Sequence, residues 1–242
     1  MPARAPFGSG AGAELRRAVS LKIGKTSARK AETVEEKSAR AIEITARLAD
    51  LYPEVECPLT HRNTFELLIA VILSAQCTDA AVNKVTPALF DHYADPAALA
   101  QAAIADIESC IRTLGLFRAK AKSLKRCAEQ LVYEFNGAVP SAMEELTRLA
   151  GVGRKTANVI RGHAFNLPGI AVDTHCQRLS RRLGLTRRQD PAKIENDLAR
   201  ILPPKQWTGF SHRLIIHGRR VCHARKPDCA SCTLADLCPS KT

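Results

Sequence analysis

The sequence lacks any long apolar run. Its longest apolar stretch, Leu67 to Leu73, is far shorter than the ~20 residues that a helix needs to span a bilayer. Aromatic residues make up only 5 % of the chain, and no basic amphipathic helix carries an aromatic face. These absences exclude a membrane-spanning protein and disfavour one that binds a membrane surface.

The cysteines do not suggest a disulfide framework. Their number, nine, is odd, the chain is long at 242 residues, and no apolar signal segment opens it. We therefore expect an intracellular, reducing location, in the cytoplasm or the nucleoid. The cysteines outside the C-terminal run are interpreted as reduced, mostly buried thiols: Cys57, Cys77, Cys110, Cys127 and Cys176.

Acidic residues are few compared with basic ones. Lys and Arg total 36 against 24 Asp and Glu, which gives a formal net charge of +12. A field of this sign attracts polyanions, nucleic acid first and anionic membranes second. Because a membrane is already disfavoured, the predicted partner is nucleic acid.

Acidic residues are scarcest at the start of the chain. Glu14 is the only one before Glu32, in a segment rich in Ala, Gly, Ser, Arg and Lys. An organellar transit peptide has a similar composition, but we predict a disordered basic arm over residues 1–30. The arm either strengthens nonspecific affinity for nucleic acid through counterion release or is only a disordered leader.

The predicted fold class is all-α. From about residue 31 onward, apolar residues recur at intervals of three and four, and no alternating strand pattern persists. Asn63, and either Thr78 or Asp79, are predicted to begin helices, and Asn136-Gly137 to end a helix that starts near Lys120. Ser141 with Glu144, and Thr174 with Gln177, are predicted to form capping boxes.

Four cysteines near the C-terminus predict a metal centre. They have the spacing C-x6-C-x2-C-x5-C, with one C-x2-C pair between longer arms: Cys222, Cys229, Cys232 and Cys238. Most four-cysteine zinc sites use two C-x2-C pairs, so this spacing favours a single [4Fe-4S] cluster held by four thiolates. A structural zinc site and four unrelated thiols are the alternatives.

The segment from Ser141 to Phe165 predicts a helix-hairpin-helix. A short helix is followed by Gly151-Val152-Gly153, and a second helix starts at Arg154. Glycines allow positive φ and a close approach of the backbone to a phosphate, and the amides and dipole at the second helix's start attract the anion. Such a hairpin holds DNA without reading its sequence; an ordinary packing element is the alternative.

Lys155 and Asp173 are the candidate catalytic residues. Lys155 lies just inside the second hairpin helix, where the helix dipole and Arg154 favour its neutral, nucleophilic amine. The alternative is a cation that contacts phosphate. Asp173, in AVDTH, either caps a helix or supplies a carboxylate that stabilises positive charge on a sugar near Lys155.

Together, LAGVGRKTANV, AVDTH and the cysteine run resemble the endonuclease III family of DNA glycosylases. The resemblance extends through FELLIAVILSAQCTD and TLGLFRAKA and covers roughly residues 38 to 239. It implies an enzyme of base excision repair that removes oxidised pyrimidines from duplex DNA and then cleaves the strand by β-elimination. The sequence itself suggests a monomer. Ala150, often proline in the family, and Cys77, commonly a small apolar residue there, depart from its pattern.

The resemblance also implies an architecture and residue roles. A six-helix barrel with the hairpin would span 57–168, and a [4Fe-4S] domain would combine 31–56 with 169–242, with DNA in the cleft between them. Lys155 would be the nucleophile and Asp173 its partner. Further residues would bind DNA: Gln76, which fills the gap left by the flipped nucleotide, Leu116, an apolar wedge, the hairpin residues Gly151, Val152, Gly153 and Arg154, and His175, Arg225 and Lys226.

Two other functions are compatible with parts of the sequence. A monofunctional glycosylase shares the cluster and the hairpin but typically lacks a lysine at position 155. A noncatalytic protein that senses DNA damage explains the charge, the cluster and the glycines, but leaves the presence of both Lys155 and Asp173 unexplained.

Overall fold

The protein is all-helical in the part that this computed structural model describes, residues 32–54 and 57–242. The described residues contain no β-strand, and the predicted fold class is confirmed. The predicted arm over 1–30 lies outside the described residues. The α-helices are α1 (Val34–Leu51), α2 (Thr64–Leu73), α3 (Asp79–His92), α4 (Pro96–Gln101), α5 (Ile104–Cys110), α6 (Phe117–Phe135), α7 (Met143–Arg148), α8 (Arg154–Ala164), α9 (Thr174–Arg182), α10 (Pro191–Ile201) and α11 (Trp207–Arg220).

Side-chain caps fix where many of these helices begin. The Asn63 side chain accepts a hydrogen bond from Glu66 N, and Thr78 accepts one from Ala81 N, as predicted. Asn136 adopts a left-handed conformation at φ 52°, and Gly137 N then bonds back to Leu131 O, which ends α6. Each cap satisfies a backbone group that has no partner inside the helix.

Both predicted capping boxes are wrong. Helix α7 starts after Ala142 and has no side-chain cap, so Ser141 lies one residue too early to act as one. Helix α9 is capped by Asp173, and Thr174 is its first helical residue. In the second case a carboxylate, which accepts hydrogen bonds from two amides, takes the position that the sequence pattern assigned to a hydroxyl.

One hydrophobic cluster forms around α2. All but the first residue of this helix are buried, because the helix is apolar on every face and other helices surround it. Helices α3, α5, α6, α7 and α8 contribute buried residues to the same cluster. The buried polar residue Glu66 forms an ion pair with Arg62 at 2.7 Å, which offsets the cost of burying its charge.

A second hydrophobic cluster joins α1, the first helix of the described residues, to the last ones. Buried residues from α1, α9, α10 and α11 pack together, with Phe210 fully buried among them. Tyr52, which follows α1, shares a hydrogen bond of 3.1 Å with His217 of α11. The N-terminal helix is therefore fixed against elements that lie more than a hundred residues later in the chain. All described helices belong to one compact unit, Thr33–Thr242.

No helix within the described ranges is long and apolar enough to cross a membrane.

Truncating a core residue of α6 should lower the free energy of unfolding sharply. Leu124 is fully buried, so Leu124→Ala should cost about 2–5 kcal/mol through lost burial and the remaining cavity. Tyr133→Ala on the same helix is the control, since Tyr133 is 83 % exposed and its loss should change stability by less than about 0.5 kcal/mol. Urea unfolding followed by circular dichroism measures both; equal losses would contradict the packing.

Candidate functional site

The predicted hairpin is present as α7, a short turn and α8. Gly151 in the turn has φ +81°, and a Cβ there would lie 3.0 Å from the Ile72 Cγ2 atom. A side chain at this position would therefore meet both backbone strain and a steric contact. Val152 is buried, whereas a Cβ at Gly153 would point into open space. The turn is thus packed against α2 on one side and open on the other.

The first turn of α8 presents free backbone amides. Gly153 precedes the helix, and no side chain caps it. Amides in the first turn have no partner inside the helix, so they are available to an anion. Arg154 is held by two hydrogen bonds to Glu195, at 2.6 and 3.0 Å, and this contact raises the pKa of its guanidinium.

Lys155 and Asp173 line one cavity. Lys155 is exposed in the first turn of α8, and Asp173 is half-buried at the start of α9. Asp173 Oδ1 accepts hydrogen bonds from His175 N and Cys176 N, both at 2.8 Å. No hydrogen bond to Asp173 Oδ2, and no ion pair with Lys155, occurs in the described part of the chain. One carboxylate oxygen therefore caps a helix while the other is free.

Buried hydrogen bonds hold the segment before Asp173 in place. Asn158 of α8 donates from Nδ2 to Ile170 O at 2.9 Å, and Ala171 N donates to Ser211 Oγ of α11 at 3.2 Å. A Cβ at Gly169 would come within 2.9 Å of the Asn158 backbone oxygen, so only glycine allows this approach. These contacts set the position of Asp173 relative to α8, and so relative to Lys155.

The cavity has polar walls that the sequence did not single out. Asp79 and Arg219 form an ion pair of 2.9 Å, and the rings of His163 and His212 meet edge to face with centroids 5.3 Å apart. Burial lowers the pKa of His163, and it lowers the pKa of His212 to about 4. Both imidazoles are therefore neutral near pH 7. These groups are brought together by packing between residues far apart in sequence, so no local sequence pattern predicts the contacts.

Gln76 and Leu116 lie in loops and do not line this cavity. Both have left-handed backbones, with φ 56° and 60°, which non-glycine residues adopt rarely. Gln76 is exposed, and Leu116 is 60 % exposed despite its apolar side chain. Beside Gln76, the Cys77 sulfur accepts a hydrogen bond of 2.9 Å from the buried Lys120.

The four C-terminal cysteines converge on one concavity. Arg182 of α9 fixes the loop between them, donating to His223 O and Ala224 O, both at 2.7 Å, and to Cys222 Sγ at 3.2 Å. No three His, Cys, Asp or Glu side chains among the described residues converge tightly enough to hold a single metal ion. Four soft sulfur donors around a mostly apolar concavity are chemically suited to an iron–sulfur cluster, and also to zinc.

The remaining predicted residues lie on α9 and on the cysteine loop. His175 is half-buried, and its Nδ1 shares a hydrogen bond of 3.1 Å with Arg178. Arg225 and Lys226 are exposed on the loop that Arg182 fixes. Arg225 and Lys226 therefore form a basic feature that is separate from the start of α8.

A family model supports an evolutionary relationship. The model described as HhH-GPD superfamily base excision DNA repair protein matches residues 69–204, more than half of the chain. The match includes the hairpin, Lys155 and Asp173.

Individual relatives are similar over most of their length. Endonuclease III of Synechocystis sp. is 53 % identical over 205 residues, which cover 84 % of this chain and 94 % of the relative. Endonuclease III of Bacillus subtilis is 45 % identical over 79 % of this chain and 88 % of the relative. Endonuclease III of Escherichia coli K12 is 40 % identical over 84 % of this chain and 96 % of the relative.

Solved structures show the same relationship. A trapped endonuclease III–DNA covalent intermediate is similar with a TM-score of 0.80 and 44 % identity, over 84 % of this chain and 96 % of that one. A thermostable thymine-DNA glycosylase, 21 % identical with a TM-score of 0.76, shares the fold. On this evidence the chain belongs to the endonuclease III family, within the HhH-GPD superfamily of base excision DNA repair proteins.

Proposed function

We propose that this protein is a bifunctional DNA glycosylase and AP lyase that removes oxidised pyrimidines from duplex DNA. The observation that carries the proposal is the shared cavity of Lys155 and Asp173 beside the phosphate-binding start of α8. A base inside a duplex cannot reach such a cavity, so the enzyme must flip the nucleotide out, at a cost of a few kcal/mol of unstacking.

Lys155 is the proposed nucleophile. Its amine attacks C1′ of the sugar and loses a proton, while the C1′–N bond breaks and the base leaves with the bonding electrons and a proton. Opening of the sugar ring gives a Schiff base, which acidifies the 2′ hydrogens. Loss of a 2′ proton then breaks the C3′–O bond and releases the phosphate. Water hydrolyses the Schiff base and restores the amine.

Asp173 stabilises the positive charge that develops on the sugar and assists proton transfer. Its Oδ1 is occupied by two backbone amides, whereas Oδ2 is free for this purpose. The amides also keep the carboxylate in a fixed orientation, so little reorganisation is needed during the reaction.

Backbone phosphates are bound by the hairpin and by the cysteine loop. The amides of Gly151 and Gly153, on either side of Val152, and those of the first turn of α8 contact one phosphate. His175, Arg225 and Lys226 contact others. Arg154 exchanges Glu195 for a phosphate when DNA binds. Gln76 and Leu116, presented on strained loops, enter the duplex beside the flipped nucleotide.

The four cysteines would hold a [4Fe-4S] cluster, which supplies structural cross-linking when it is bound. The chain's own residues act on DNA: Arg182 fixes the loop, and the loop presents Arg225 and Lys226. The two hydrophobic clusters support the proposed barrel over 57–168 and the proposed second domain from 31–56 and 169–242. We place the protein, as a monomer, with the DNA inside the cell.

Removing the amine of Lys155 should abolish covalent trapping. With borohydride and a duplex containing thymine glycol, Lys155→Ala should give no adduct and a base-release rate lower by about 10³-fold or more. Lys122→Ala, the loss of an exposed lysine on α6, is the control and should trap normally. A trapped adduct with the alanine variant would contradict the assignment of the nucleophile.

Replacing Asp173 by asparagine should separate its two roles. Asn is as good a helix cap as Asp, so Asp173→Asn should change the free energy of unfolding by less than about 1 kcal/mol. The loss of negative charge should lower the single-turnover rate of base release by about 10²–10³-fold. Thermal unfolding and quench-flow assays measure the two effects. A normal rate in a folded Asp173→Asn variant would show that Asp173 is only a cap.

Loss of one proposed cluster ligand should remove the cofactor. Cys229→Ala should be purified without visible iron–sulfur absorbance, with little bound iron and with a lower melting temperature, because the remaining thiolates cannot hold the cluster. Cys110→Ala is the control, since Cys110 lies outside the loop and should leave the iron content unchanged. Full iron content in Cys229→Ala would rule out the proposed ligand set. Zinc in place of iron in the wild-type protein would show that the site is a zinc site and not an iron–sulfur site.

A further inference from the structure

A second concavity lies beside the cavity of Lys155 and Asp173, along helix α9. It begins at Thr174, the residue that follows Asp173, and continues along the helix toward the C-terminal segment. We call it the α9 groove, and its lining residues are Thr174, Gln177, Arg178, Arg181, Arg182, Thr186, Arg187 and Ser240.

The α9 groove is strongly basic. Four of its lining side chains are arginines, the others are Ser, Thr or Gln, and none is a carboxylate or an apolar residue. One carboxylate, Asp197, is hydrogen-bonded to a lining side chain: it accepts a bond of 2.6 Å from the Thr186 hydroxyl. Four positive charges in one concavity attract an anion with several charged groups.

Two of these arginines are rigid but keep their charge. Arg178 donates to Gly218 O and Cys222 O, both at 2.9 Å, and Arg182 donates to His223 O and Ala224 O. Their partners are backbone carbonyls, the His175 Nδ1 atom and the Cys222 sulfur, so no carboxylate neutralises either guanidinium. Arg178 and Arg182 therefore provide two positive charges at fixed positions in the α9 groove.

The other two arginines are available for a ligand. Arg181 and Arg187 are exposed, and neither side chain forms a hydrogen bond or an ion pair within residues 32–54 and 57–242. A guanidinium presents a planar set of donors that matches the oxygens of a phosphate. Nothing in the described protein competes for them.

We infer that the α9 groove binds the sugar–phosphate backbone of the DNA on one side of the lesion. The inference rests on the proposed function, because the groove starts where the reacting nucleotide would lie and a continuous strand must leave that point. The lack of apolar lining excludes a membrane-inserting role for the groove. A phosphate contact here would add affinity without sequence preference.

The salt dependence of DNA binding tests the groove. Each phosphate neutralised on duplex DNA contributes about 0.9 to the slope of log K against log salt. The double variant Arg181→Ala/Arg187→Ala should therefore reduce the magnitude of this slope by about 1.8 for a long undamaged duplex, which makes binding less sensitive to salt. Arg126→Ala/Arg200→Ala removes the same charge from exposed positions outside the groove and should leave the slope close to that of the wild type. A slope unchanged in the groove variant, or lowered equally in both variants, overturns the inference.

Duplexes shortened on one side of a lesion locate the contact. If the duplex lacks the arm that the groove contacts, the wild type and the groove variant should bind it with equal affinity. If it lacks the other arm, the groove variant should bind it more weakly than the wild type. A difference that persists on both shortened duplexes would mean that the groove does not follow the flanking strand. Binding of a polyglutamate peptide by the wild type, lost in the groove variant while the DNA slope is unchanged, would assign the groove to an acidic protein instead.

Borohydride trapping on an abasic duplex separates this inference from the proposed function. At saturating enzyme, the groove variant should form as much adduct as the wild type, because Lys155 and Asp173 are intact. Normal trapping with an unchanged salt slope removes only the groove. Absence of any adduct with the wild type removes the proposed lyase.

Discussion

A buried hydrogen bond from Asn158 Nδ2 to the carbonyl of Ile170 connects the hairpin to the second hydrophobic cluster. Asn158 belongs to α8, whose first turn contains the proposed nucleophile, and Ile170 belongs to the segment that ends at Asp173. A buried amide or carbonyl that lost its partner would cost about 1–3 kcal/mol, so the two elements are held in one arrangement. The geometry of the cavity follows from this link, because Lys155 and Asp173 are each only three residues away from it.

The capping and catalytic interpretations of Asp173 are compatible in this structure. The amides of His175 and Cys176 both bond to Oδ1, and Oδ2 is left for the cavity. A helix start is a site of partial positive charge, which stabilises an ionised carboxylate. The same arrangement therefore gives two amides of α9 a hydrogen-bond partner and provides a fixed carboxylate at the cavity, where we propose that the sugar binds.

Local patterns in the sequence predicted much of the fold but little of the cavity. Caps such as Asn63, the G-V-G turn and the cysteine spacing depend on neighbours along the chain, and the all-α class and the base excision glycosylase and lyase function are confirmed. The pairs Asp79–Arg219 and His163–His212 join residues far apart in sequence, so only packing reveals them. The capping boxes were wrong because several polar residues near each helix start could cap it: Asp173 caps α9 in place of Thr174, and α7 has no side-chain cap. The roles of the individual site residues stay predictions.

The left-handed backbones of Gln76 and Leu116 have a consequence for how this enzyme can evolve. A non-glycine residue in this conformation costs ~1–2 kcal/mol, and both loops bear that cost in the free protein. Glycine at either position would relieve the strain but remove the side chain that is presented to the solvent. Selection for thermal stability alone would therefore favour glycine at both positions, whereas the proposed insertion of these two side chains into DNA would be lost with it. If the proposed roles hold, these two loops are places where a heat-adapted descendant of this chain would face a conflict between durability and activity.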